Sequence, residues 1–281
     1  MNKIALLTDS ACDLPASIIE QYNIQVLPLK IIYGQEVFAD RVEIQPDEVY
    51  ARMPQQIPTT TLPSVQEIHD MFVKLQDQGY EKVLAIHISS GLSGTFAAVK
   101  MVADDFTDLE IKVVDTKTLS MGQGFQVYEA ARDIAAGLPW AKICANLTGR
   151  GAKIEVFYVL ETLEYLKRGG RIGKVAAAFG GILRIKPIIS VDPEGKYFIF
   201  ARTRGREQSI RKLGEIIENI ASNNRIKLAV MHGGAEIEAL KLKTKLAGLT
   251  NVIEVLFGQI SPALGVHTGP GLIGVCYMFA E

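Results

Sequence analysis

The chain has 281 residues, 48% of them hydrophobic. That is enough to build the core of one large or two ordinary α/β domains, and too apolar for a disordered chain. Its 30 Lys and Arg nearly balance its 31 Asp and Glu, so no bulk positive field draws it to nucleic acid, and contact with a membrane surface would be transient at most. No apolar run approaches the roughly 20 residues of a membrane-spanning helix. The opening MNKIALLTDS is too short an apolar run for a signal peptide. Together these lead us to expect a cytoplasmic protein.

In chain order, KIALLTDS reads as a buried strand. DLPASIIEQY follows as a short helix with Asp13 as a candidate N-cap and Pro15 in its first turn. IQVLPLKIIY is extended, with Pro28 marking a break or an edge. PTTTLPS is a loop that leads into a helix, where Ser64 and Glu67 form an S-x-x-E capping box and Gly79 marks the stop. KVLAIHIS is a strand, GTFAAVKMVADDF a helix and IKVVDT a strand. Two helical stretches follow, SMGQGFQVYEAARDIAAG and LPWAKICANLTGRGA, and then the strand IEVFYVL. Such alternation predicts a mostly parallel, covered sheet with right-handed crossovers.

After Leu160 glycines and basic residues become dense, in ETLEYLKRGGRIGKVAAAFGGILRIKP. This change of texture suggests a boundary, dividing the chain into residues 1–160 and 161–281. KPIISVDPEGKYFIF reads as a hairpin turning at Pro193–Gly195. In the helix EQSIRKLGEIIENIASNN, apolar Ile210, Leu213, Ile216, Ile217 and Ile220 share one face. KLAVMHGG, VIEVLFGQI and LIGVCYMFA are strands, and AEIEALKLKTKLAGL is a helix.

Several segments could carry chemistry. GPGLIG, Gly269 to Gly274, matches G-x-G-x-x-G in letters only: a strand follows it, and no acidic residue lies about 20 positions on. No P-loop signature occurs. Cys12, Cys144 and Cys276 lack metal or redox spacing and read as small buried hydrophobes. GLSGT puts Ser93 between strand and helix, like a hydrolase nucleophile, with Asp115 and His267 following in hydrolase order, but the elbow's last glycine is Thr95. The third reading is anion capture. HISSGLSGTF opens a helix, where free backbone N–H groups and the helix dipole favour negative charge. PTTTLPS and GVHTGPG have the same polar, glycine- or hydroxyl-rich character, and three such loops suggest one shared polar pocket.

TDSACDLP, TTTLPS, SSGLSGTF, VVDTKTLSMGQG, LKRGGRIGKVAAAFGGILRIKPI and HTGPGLIG occur in this order from residue 4 to about residue 277. Together they resemble the DegV family. The resemblance implies two α/β domains: an N-terminal one with a mostly parallel sheet and helices on both faces, and a smaller C-terminal one. It also implies one long-chain fatty acid buried in a tunnel between them. The chain would then be a lipid-binding subunit and not an enzyme alone. A separate fatty acid kinase catalytic subunit would phosphorylate the carboxylate, and the acyl phosphate would pass toward phospholipid synthesis, with an acyl-phosphate acyltransferase as a further partner. No cofactor is implied beyond the bound fatty acid.

By the same resemblance, Thr61, Ser93 and His267 bind the carboxylate. Thr60, Gly94 and Gly269 lie near the head group, and Arg171 serves the kinase interaction. Lys167, Arg168 and Lys174 would extend that basic patch, with Arg202, Arg204 and Arg206 as a second, solvated cluster. Phe179, Ile182 and Leu183 would line the tunnel. The family's loop commonly reads T-S-Q-P-S; here it is Thr60-Thr61-Leu62-Pro63-Ser64, which keeps the hydroxyl and loses the amide. Neutral hydroxyls suit a carboxylate that must later attack a γ-phosphate, because a bidentate Arg would blunt its oxygens.

Overall fold

A computed structural model describes residues 3–53, 55–178 and 186–280. The first half contains β1 (Ile4–Asp9), α1 (Ala16–Gln21), β2 (Gln25–Leu27), β3 (Lys30–Tyr33), β4 (Glu36–Ala39), α2 (Pro46–Arg52) and β5 (Thr59–Thr61). It continues with α3 (Val65–Asp77), β6 (Lys82–His87), α4 (Thr95–Ala103), β7 (Glu110–Asp115), α5 (Met121–Ala135), α6 (Trp140–Arg150) and β8 (Ile154–Val159). Then come α7 (Glu164–Arg168), β9 (Ile188–Val191), β10 (Tyr197–Ala201), α8 (Arg206–Asn223) and β11 (Ile226–Gly233). The last elements are α9 (Glu236–Ala247), β12 (Val252–Gln259), α10 (Pro262–Thr268) and β13 (Leu272–Phe279).

The first sheet has the order β2-β1-β6-β7 and is parallel throughout. Its strands are apolar on both faces, as a covered parallel sheet requires. Ala5, Leu7, Val83 and Ala85 pack on Ile68, Phe72 and Leu75 of α3 and Val99 and Val102 of α4. Leu6, Leu84 and Ile86 face the other way, onto Met121 and Phe125 of α5. Ser64 and Glu67 form the expected capping box, Oγ of Ser64 accepting the Glu67 N–H at 3.2 Å. Asp13 caps nothing in α1: Pro15 holds that position, without a side-chain bond.

The second sheet has the order β10-β9-β8-β13-β11-β12 and is antiparallel except for the β11–β12 pair. Strand–helix alternation thus gives the parallel sheet of the first half but not the pairing of the second. The strand Ile154–Val159, just before the expected boundary, pairs with β13 and β9 in this second sheet. Period-two alternation again divides the faces. Phe157, Val159, Leu228, Val230, Ile273 and Val275 pack against α8 and α9 through Leu213, Ile217, Ala239 and Leu242. Val156, Tyr158, Ala229, Met231, Leu272 and Cys276 face inward and join the core cluster around α5.

The layers therefore run α3/α4, first sheet, α5, second sheet, α8/α9, and α5 is buried along most of its length. Gly124 permits its close approach, because a Cβ there would stand 2.5 Å from the Cys12 carbonyl oxygen. A small antiparallel sheet, β4-β3-β5, lies beside these layers. Its strand β5 occupies the threonine stretch that the sequence presents as a loop. Among the described residues no helix is long and apolar enough to cross a membrane.

Candidate functional site

A pocket forms where the loop after β6, the strand β5, the helix α10 and the segment after α7 meet. Thr60, Thr61, Ser93, Gly94, Arg171 and His267 all line it, with Leu29, Ile88, Leu92, Tyr197, Ala263 and Leu264 supplying apolar wall. Its place beyond the carboxyl end of a parallel strand is the usual one for ligands in α/β sheets.

Register explains the threonines. Thr60 pairs with Ile31 and Thr61 with Lys30, so consecutive side chains point to opposite faces. Thr60 Oγ1 lies 2.8 Å from His267 Nε2, while Thr61 stands exposed at the rim. His267 sits in the last turn of α10, a helix begun by Pro262 at its first position and capped by Ser261, whose Oγ accepts the Leu264 N–H. Burial, reinforced by the Arg171 charge, pushes the His267 ring down to about 4, so it is neutral at pH 7. Its Nδ1 is buried without a partner and faces Gly169, where a Cβ would overlap it.

Ser93 Oγ lies 2.8 Å from Thr95 Oγ1 and accepts the Thr95 N–H at 3.3 Å. The loop that carries it is pinned from the second sheet, since Ser89 Oγ donates to the Gly195 carbonyl at 2.9 Å. Arg171 lies across the pocket wall, donating from Nε to Leu92 O at 3.2 Å and from Nη1 to Gly169 O at 2.7 Å. Its guanidinium is therefore part of the pocket, where the sequence placed it only toward a partner. A fixed cation, hydroxyls and the start of α4 make the pocket suited to an anion.

A second, small apolar cavity shares Tyr197 and Leu264 with the first. Val156, Tyr158, Met231, Leu272 and Cys276 line it, from the inward face of the second sheet, with Leu119 and Ile260. Ser120 and Thr268 are its polar members. The two spaces together offer a polar end and an apolar continuation.

The remaining sequence expectations fall elsewhere. Gly269 (φ 70°) follows α10 and packs on the Tyr165 ring; it does not line the polar pocket. Phe179, Ile182 and Leu183 lie outside the described residues. Arg168 pairs with Glu164, and Lys174 with Asp192. Arg206 is bound by Glu238, Glu161 and the Gly271 carbonyl, which removes it from the solvated cluster. The hydrolase constellation is not assembled: Ser93 bonds Thr95, His267 bonds Thr60, and Asp115 accepts from Ser90 and Lys117. The wall residues of the second cavity escape a motif search, but the period-two pattern of LIGVCYMF carries a signal for them. One face of that strand places Leu272, Gly274 and Cys276 in line.

The family model described as "Uncharacterised protein, DegV family" matches residues 3–280. A DegV domain-containing protein of Clostridium acetobutylicum is 42% identical over 275 residues, 98% of each chain. The crystal structure of DegV from Bacillus subtilis, described as a fatty acid binding protein, has a TM-score of 0.92 at 28% identity, covering 100% of both chains. A DegV family protein from Thermus thermophilus, whose structure is described in terms of fatty acid binding, has a TM-score of 0.92 at 29% identity, covering 99% of this chain and 100% of its own. With a family match that spans nearly the whole sequence and a fold shared end to end, this chain belongs to the DegV family.

Proposed function

We propose that this chain binds one long-chain fatty acid and presents its carboxylate to an ATP-dependent fatty acid kinase subunit. The observation that carries the reading is the junction of a hydroxyl-, Arg- and His-lined pocket with an apolar cavity across Tyr197 and Leu264. The carboxylate would meet Thr60, Thr61, Ser93 and His267, and the acyl chain would pass Tyr197 toward Met231 and Cys276. Burying a 16-carbon chain supplies on the order of 10 kcal/mol before the costs of association. The tail therefore carries affinity, and the head group needs donors mainly to offset its desolvation.

Arg171 already spends two donors on the carbonyls of Leu92 and Gly169. The guanidinium keeps its charge and its remaining N–H groups beside the hydroxyls, which hold a carboxylate whose free oxygen attacks the γ-phosphorus of ATP as the bond to ADP breaks. The chain brings no cofactor of its own to this step and carries the acyl phosphate onward, toward an acyltransferase of phospholipid synthesis. In this reading Arg171 has its role at the kinase contact through the mouth of the pocket.

Native mass spectrometry of the freshly purified protein, followed by extraction and identification of bound lipid, tests the binding reading. One fatty acid per chain is the expected result. A lipid-free mass that stays unchanged on addition of oleate or palmitate overturns it, and so does covalent labelling of Ser93 by a fluorophosphonate probe, which would mark a hydrolase instead. Adding a DegV-partner kinase and ATP to the oleate-loaded protein should then yield one acyl phosphate and one ADP per turnover.

A further inference from the structure

We infer that Asp13 is the positioning residue of the head-group pocket, holding the starts of α5 and α10 on one buried carboxylate. This rests on the fatty-acid reading above for its ligand, though not for its geometry. The Asp13 side chain is fully buried. Oδ1 accepts the backbone N–H of Ser261 at 2.7 Å and Nη2 of Arg41 at 3.1 Å, and Oδ2 accepts the Ser120 hydroxyl at 2.6 Å. Arg41 Nη2 also donates to the Gln259 carbonyl. Four chain segments remote in sequence thus meet at one side chain.

Two of those segments shape the site. Ser120 is the residue before α5 and lines the apolar cavity. Ser261 is the N-cap of α10, which contributes Ala263, Leu264 and His267 to the polar pocket. With seven residues, α10 is two turns long, so a shift at its start is carried to His267 at its end.

The cluster is not arranged as a stabilising ion pair would be. Two buried carboxylates, Asp13 and Asp40, face a single guanidinium, and burial pushes both of them up. Asp40 is bonded by the Ser10 hydroxyl at 2.6 Å, and its other oxygen has no partner. Asp13, Arg41 and Ser120 also have φ of 54°, 62° and 51°, a left-handed region that non-glycine residues avoid. Among the described residues only Asn23 and Lys117 share that property outside glycine. Strain and uncompensated burial concentrated at one hydrogen-bonded point, which touches both parts of the ligand site, mark function and not stability.

The test compares Asp13→Asn with the wild type by displacement of a fluorescent fatty acid with oleate, by ¹⁵N NMR of the His267 ring and by thermal midpoint. The expected result is at least a tenfold loss of oleate affinity and shifted His267 signals, beyond what a fall in midpoint alone produces, since the lost pairing with Arg41 lowers the midpoint too. Leu213→Ala, in the α8 core, is the stability control; it should lower the midpoint and leave oleate affinity within about twofold. Should Asp13→Asn fail to fold, Ser261→Pro against Ser261→Ala decides. Both lose the capping hydroxyl, but only the proline loses the N–H that Asp13 holds, and it alone should lose oleate and shift His267. Oleate binding within twofold of wild type with unchanged His267 signals in Asp13→Asn, or equal behaviour of the two Ser261 variants, overturns the inference. A wild type that binds no oleate removes the fatty-acid reading instead, and the His267 signals still decide the role of Asp13.

Discussion

At the residue scale, the link between Thr60 and His267 does most to define the polar pocket. A neutral imidazole offers one N–H and one lone pair. With Nδ1 enclosed against Gly169, Nε2 is the atom that works on Thr60. If Nε2–H donates to Oγ1, the threonine hydroxyl is free to donate its own proton to a carboxylate. Thr60→Val keeps the shape and removes this relay. We expect it to weaken oleate binding about tenfold, the order of one charge-assisted hydrogen bond, while oleyl alcohol changes by less. Equal losses for both ligands would mean that Thr60 acts through packing. Gly274 governs the other end of the site. A Cβ there meets only ordinary contacts, Leu272 at 3.6 Å and Met231 at 3.8 Å, and further carbons would occupy the cavity. Gly274→Val should shift the co-purifying lipids to shorter acyl chains, by about 0.8 kcal/mol of lost burial per displaced methylene. An unchanged lipid profile would place the acyl chain elsewhere. His267 and Ser93 were legible because glycine-flanked polar residues between periodic segments stand out. Tyr197 and Leu264 were not, since apolar residues on regular elements reveal their neighbours only once the sheets are paired.

At the scale of elements, the hairpin β9–β10 reaches from the second sheet to the loop that carries Ser93. Its turn docks where Gly91 meets the Glu194 and Gly195 carbonyls. A Cβ on Gly91 would lie 2.8 and 2.6 Å from those oxygens, which belong to backbone and yield little. Gly91→Ala should therefore displace the hairpin, break the Ser89–Gly195 bond and cost about 1–3 kcal/mol. Limited proteolysis should show faster cleavage between residues 188 and 201. Gly149→Ala, in α6 with nothing within 4 Å of the added carbon, should instead stabilise by about 0.5–1 kcal/mol. If both variants shift the midpoint alike, the hairpin contact is not a constraint. The hairpin was readable from its Asp-Pro-Glu-Gly turn, and α3 from its capping box. β5 and α10 were not. Three threonines carry no apolar alternation, and become a strand only because β3 offers its edge. In α10, Gly265 weakens helix propensity and the helix is only two turns long; its start is held by Ser261 and by Asp13 from 248 positions away.

At the scale of the whole molecule, α5 joins two sheets into one core, and two buried groups leave opposite marks on its stability. Folding raises Asp40 from 3.8 to about 7 and lowers His267 from 6.5 to about 4. Between pH 4 and 7 the folded chain keeps a proton on Asp40 that the unfolded chain gives up, so this group removes stability as pH rises through the window. The unfolded chain binds a proton at His267 below pH 6.5 that the folded ring refuses, so this group removes stability as pH falls from 6.5 toward 4. A wild-type curve of thermal midpoint against pH sums these two with the other shifted groups, among them Glu67, Asp115, Asp133 and His232. The variants should separate them. Asp40→Asn should gain on the wild type as pH rises from 4 to 7, and His267→Gln should gain on it as pH falls from 6.5 to 4. Each gain should approach about 1.4 kcal/mol for every tenfold difference in proton affinity between the folded and unfolded chain. A carboxylate bound against His267 favours the protonated ring, so saturating oleate should shrink the acid-side gain of His267→Gln and leave the gain of Asp40→Asn toward pH 7 in place. Midpoint curves that run parallel for all three proteins would show that neither side chain is held as this fold implies. An acid-side gain that oleate does not alter would move the carboxylate away from His267.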